Sequence, residues 1–185
     1  LSEGELQRLL KVLHSDRNQT VCLVIRMLLS TGARLNEILQ ATWEDIDREH
    51  SLLRIPISRS KSRKVRSIPL NSSARTVLDQ LETKEGALFV GRRGTQLTTI
   101  HKVWSRLRRQ AGLPDVRLHD LRHTHASMLI NSGRTLAEVS AILGHSDPRI
   151  SARYAHLSVQ TLTAASEVAS AAIAQASPPA ETATE

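Results

Sequence analysis

The chain is short of aromatic residues. Trp43, Phe89, Trp104 and Tyr154 are the whole set among 185 residues. Its core must therefore be aliphatic. Cysteine is scarcer still: Cys22 alone excludes an internal disulfide framework and a cysteine-rich zinc site. It sits in an apolar run, which predicts a buried free thiol. No run reaches the roughly 18 apolar residues that a membrane span needs. No stretch reads as a secretory signal, so a reducing, intracellular setting is the expectation. Basic residues are missing from one end. After Arg153 there is no Lys or Arg, while Glu167, Glu181 and Glu185 follow. The net charge of +7 is therefore +10 up to Arg153 and −3 beyond it.

What is present is a basic body long enough to bury one sizeable core, with or without a tail. Such a body favours a polyanionic partner, nucleic acid before an acidic membrane surface. The periodicities predict a mostly α fold with a small antiparallel β-hairpin or sheet. Residues 2–16 read as an amphipathic helix. Ser2 and Glu5 match a capping box, and Leu6, Leu9, Leu10 and Leu13 share a face. Residues 19–30 are apolar on all sides, the pattern of a buried central helix, and Gly32 suits a left-handed cap. A new helical turn starts at Arg34. From Leu52 to Ile57, and again from Val65 to Pro69, the period changes to that of strands, with the basic turn 58–64 between them.

Asn71 or Ser72 caps a helix to about Glu82, and Thr98 or Thr99 another to about Ala111. Helices follow at His119–Ile130 and from Thr135 to Leu143, where Gly144 ends the second. Pro148 opens a short helix carrying Tyr154. Residues 158–175 are alanine-rich and helical by propensity. The stretch from Ser177 onward reads as disordered.

Two basic clusters stand out. One holds Arg54, Arg59, Lys61, Arg63, Lys64 and Arg66; the other holds Arg92, Arg93, Lys102, Arg106, Arg108 and Arg109. With few acids between, both suit phosphate-backbone contact. His119 and Arg122 lie three apart on one helical face. His119 and His123 have the spacing of a helical zinc pair. No His-Glu-x-x-His arrangement accompanies them, and Arg122 would repel a divalent ion. A histidine–arginine pair suits an anionic ligand better.

The order of the pieces carries more than any one of them. Thr31-Gly32-Ala33-Arg34-Leu35-Asn36-Glu37-Ile38 is followed by the basic hairpin. Then come His119-Asp120-Leu121-Arg122-His123, Leu143-Gly144-His145 and, nine residues on, Tyr154. This series resembles the catalytic domain of the tyrosine recombinases, the phage-integrase and Xer-like family, over about residues 1–157. Residues 158–185 would then be an alanine-rich C-terminal helix and disordered tail.

The resemblance implies a site-specific DNA recombinase that works through a 3′-phosphotyrosyl intermediate, with neither cofactor, metal nor ATP. By it, Arg34 and Arg122 grip the scissile phosphate. His119 donates to that phosphate or moves the nucleophile's proton, and His145 bonds a non-bridging oxygen. Lys61 is the general acid, Tyr154 is the nucleophile, and Glu37 supports Arg34. Arg59, Arg63, Lys64 and Arg66 are expected to touch DNA.

The expected partners are double-stranded DNA and further copies of the chain in a synaptic tetramer. The C-terminal helix would dock on a neighbouring protomer and be mobile without it. In the family a DNA-clamping helical domain precedes the catalytic one. A cytoplasmic, nucleoid-associated protein of bacterial or phage origin is implied. The alternatives are type IB topoisomerase-like strand cleavage and a non-catalytic DNA-binding protein on the same scaffold.

Overall fold

The fold is built around the helix that is apolar on every side. In the computed structural model, which describes residues 1–59, 65–132, 134–144 and 159–177, this is α2 (Gln19–Thr31). Asn18 caps it by accepting from the Val21 N–H, and Gly32 ends it in the left-handed region. Ten of its thirteen residues are buried, because helices cover it on several sides. The amphipathic α1 (Glu3–Ser15) lays Leu6, Leu9, Leu10 and Leu13 against it, and the Ser2–Glu5 capping box forms as expected. The Cys22 thiol is buried, and burial pushes its pKa up to about 12.

After the short α3 (Leu35–Leu39), three antiparallel strands form a sheet in sequence order. They are β1 (Ile46–Asp47), β2 (Leu52–Ile55) and β3 (Arg66–Pro69), with Leu53 opposite Ile46 and Ile68. The second strand was expected to reach Ile57. It stops at Ile55, because Pro56 has no N–H for the ladder and residues 57–59 turn into a 3-10 helix. The next helix, α4 (Ser72–Asp79), is shorter than expected, with Gln80 as its C-cap. The following helices are α5 (His101–Gln110), α6 (Leu118–Asn131) and α7 (Leu136–Leu143). The Thr135–Glu138 capping box starts α7 and Gly144 ends it at φ 62°.

The last described helix, α8 (Val159–Ala176), packs on its own chain. Ala165 and Ala169 are buried with Leu129, Val139, Ile142 and Leu143, while Ile173 and Ala176 join the main core. Polar bonds lock it in register. Asn71, fully buried, donates to the carbonyls of Ser30 (2.8 Å) and Ser166 (3.0 Å) and accepts from the Ala74 N–H. Glu167 accepts from the Ser72 N–H and hydroxyl. One asparagine therefore caps α4 while tying α2 to α8. The expected helix at Pro148 and the stretch beyond Ser177 lie outside the described residues.

Candidate active site

Arg34 leaves α2 at the point where Gly32 turns the chain and becomes the N-cap of α3. Three residues on, Glu37 reaches back. Its carboxylate accepts from the Arg34 backbone N–H at 2.8 Å and from Nη1 at 2.9 Å. The same carboxylate takes Nη1 of Arg66 from β3. Glu37 is only 4% exposed. Burial alone would push its carboxyl up, but Arg66 and then Arg34 outweigh it and hold the pKa below the ordinary carboxylate value.

Arg122 comes from the second turn of α6 and is also buried. Its Nη1 donates to the Gly32 carbonyl (2.7 Å) and its Nη2 to that of Leu143 (2.6 Å). Burial, with Arg66 and Arg34 nearby, lowers its pKa to about 10, which still leaves it charged at neutral pH. Gly32 has to be glycine for two reasons. Its φ is 61°, and a Cβ would meet Leu143 Cδ2 at 2.7 Å and His125 Cδ2 at 2.8 Å. His125 lies beneath, wholly buried, its Nδ1–H donating to the Leu29 carbonyl at 2.8 Å. Burial drops its pKa to about 4, so it is neutral.

An open groove of about 1150 Å³ lies over this floor, lined by Arg34, Glu37, Arg59, Arg117, His119 and Arg122, among others. His119 is exposed there, its ring edge-on to His123 with centroids 4.8 Å apart. Burial, His123 and Arg122 lower its pKa from the ordinary value. Three cations around one carboxylate leave an excess of positive charge in a partly desolvated hollow. Such a hollow favours a phosphate.

The structure thus brings Arg34, His119 and Arg122 to one groove. Lys61, His145 and Tyr154, with Arg63 and Lys64, lie outside the described residues. Two surface expectations change. Arg59 lines the groove, but its guanidinium is bound to Asp45 and the Gln40 carbonyl. Arg66 is corrected: it is buried, bonded to Glu37 and the Ile142 carbonyl, and does not line the groove as Arg34 and Arg122 do. The signal for this was available. Strand alternation puts Arg66 on the same face as Ile68, which is fully buried. No group of three or more His, Cys, Asp or Glu side chains that could hold a metal ion occurs among the described residues.

The family model described as "Phage integrase family" matches residues 1–161. The chain belongs to the phage integrase family. Tyrosine recombinase XerC of Pseudomonas aeruginosa is 34% identical over 150 residues, 75% of this chain and 48% of the relative. XerC of Azotobacter vinelandii is 35% identical over 152 residues, 76% and 49% of the two chains. This integrase-family chain thus spans about half the length of the curated relatives it matches. Among solved structures, the XerA recombinase superposes with a TM-score of 0.65 at 27% identity, over 88% of this chain and 60% of that one. The XerH recombinase in a pre-cleavage complex with its difH substrate gives 0.64 at 26%, over 90% and 53%.

Proposed function

We propose that this integrase-family chain is the catalytic part of a site-specific recombinase that breaks and rejoins double-stranded DNA through a phosphotyrosyl bond. The observation that carries the reading is the joining of Arg34 and Arg122 with His119 over one hollow of excess positive charge. The relatives that match about three quarters of the chain carry recombinase names, and the XerH recombinase is bound to its difH substrate.

The chemistry follows from the groups. A phenol with a pKa near 10 is only about one part in a thousand ionised at neutral pH, so Tyr154 needs cations and a proton acceptor to attack. Its oxygen forms a bond to phosphorus, and the bond from phosphorus to the 5′ oxygen breaks. Lys61 hands that oxygen a proton. His119, its pKa lowered, is neutral near pH 7 and is suited to take the phenolic proton. Arg34 and Arg122 donate to the non-bridging oxygens, where charge grows in the transition state, and His145 adds a further donor. The ester keeps the bond energy, so the reverse attack by a 5′ hydroxyl reseals the strand without ATP.

Copies of the chain would act together on DNA. The self-docked α8 would have to leave its groove before reaching a neighbour. A duplex nicked just beyond the cleavage point tests the central step, because the freed fragment diffuses away and traps the covalent adduct. The adduct is expected with the natural sequence and absent with Tyr154→Phe. Adduct persisting in that variant would sink the assignment.

A further inference from the structure

We propose that Arg66 is a positioning residue for strand cleavage: it sets the end of α7 against Arg34 and Arg122. The proposal rests on the recombinase reading above.

The geometry begins with the C-terminal end of α7, whose last carbonyls have no partner within the helix and carry its negative pole. Three successive carbonyls each receive a different arginine. Ile142 takes Arg66 Nη2 at 3.0 Å, Leu143 takes Arg122 Nη2 at 2.6 Å, and Gly144 takes Arg34 Nη2 at 3.3 Å. Two of these arginines face the groove. Arg66 is 93% buried by its 7% exposure and does not line the groove.

Its fork is divided. One nitrogen is on Glu37, which also holds Arg34; the other is on the helix end. Arg66 therefore joins the carboxylate that aims Arg34 to the end of α7.

Gly144 supplies the second observation. A Cβ there would collide with Arg66 Nε and meet its Cδ at 2.7 Å, and φ is 62°. The guanidinium occupies the space that a side chain at 144 would need. Lysine could replace it only in part, because a single ammonium cannot span the carboxylate and the carbonyl with a planar fork. Stability alone does not account for the arrangement. A buried ion pair is often no better than an apolar filling of equal volume.

The test uses the full chain with Arg66→Met, Arg66→Lys, Gly144→Ala and the corresponding doubles. At saturating nicked duplex, Arg66→Met is expected to slow adduct formation about 100-fold, the usual result of misplacing reacting groups by about an ångström. DNA affinity should change less than about threefold, since no phosphate contact is lost. Arg66→Lys should recover part of the rate. A wild-type rate in Arg66→Met, full recovery in Arg66→Lys, or affinity falling in step with rate would overturn the proposal.

Thermal midpoints provide an arm free of DNA chemistry. Gly144→Ala should lower the midpoint more when Arg66 is present than when it is Met or Lys. Additive shifts would overturn the juxtaposition. A wild-type chain that forms no adduct would sink the recombinase reading, and the midpoints would still decide the place of Arg66.

Discussion

The molecule holds itself together in two different ways. Around α2, leucines, isoleucines and valines form the packing, with Asn71 and His125 bonded to its carbonyls. At the floor of the groove, charged forks meet carbonyls: Gly32, Ile142, Leu143 and Gly144 are all held by arginines. Apolar packing is non-directional and tolerates small rearrangements, whereas a fork bonded at both ends allows one geometry. The first region supplies stability and the second supplies position. Changes in the core should alter how much protein is folded. Changes on the floor should alter how fast the folded protein works.

Leu29, fully buried on α2, marks the core side. Leu29→Ala should cost about 3–4 kcal/mol in urea unfolding, the usual range for a leucine cavity. The fraction that stays folded should cleave at its normal rate. A large loss of rate in folded protein would break the distinction between the regions.

His125 lies on the border, packed under Gly32 in the floor and bonded to Leu29 in the core. Its folded pKa of about 4 lies below the ordinary 6.5, so the unfolded chain binds more protons between these values. Its contribution is complete above pH 6.5 and lost as the pH falls towards 4. The loss should approach about 3 kcal/mol, and His125→Gln should flatten that part of the unfolding curve. Unchanged pH dependence in the variant would show that other groups carry it.

Asn71 is a polar pin within the apolar side. Asn71→Ala should cost about 2 kcal/mol and loosen α8, read as faster amide exchange from 163 to 176 than in α2. Equal protection of the two helices in the variant would mean that apolar contact alone holds α8.

Much of this is legible in the sequence. The Ser2–Glu5 box, the Thr135 cap, the leucine stripe of α1, the left-handed Gly32 and the stop at Gly144 are local signals, and local geometry answers them. The i, i+3 spacing puts His119 and Arg122 on one helical face, and both line the groove. What escaped was non-local. Arg59 finds Asp45 across fourteen residues of sequence, and Arg66 finds Ile142 across seventy-six. A basic run looks the same whether its members face water or a buried carboxylate; only the strand alternation separates Arg66 from its neighbours. The docking of α8 escaped because a stripe of Ala and Ser is compatible with many partners. Its choice is made by Asn71, Ser72 and Ser73, far away in sequence.

The central claim is that the arginines act by neutralising charge on one phosphate. It is tested most directly by single-turnover cleavage of a nicked duplex whose scissile phosphate carries a methyl group in place of one non-bridging oxygen. On the ordinary phosphate, Arg34→Ala should lose roughly 100- to 1000-fold in rate. On the methylated, uncharged phosphate the loss relative to the natural sequence should be far smaller. Equal losses on the two substrates would contradict the claim.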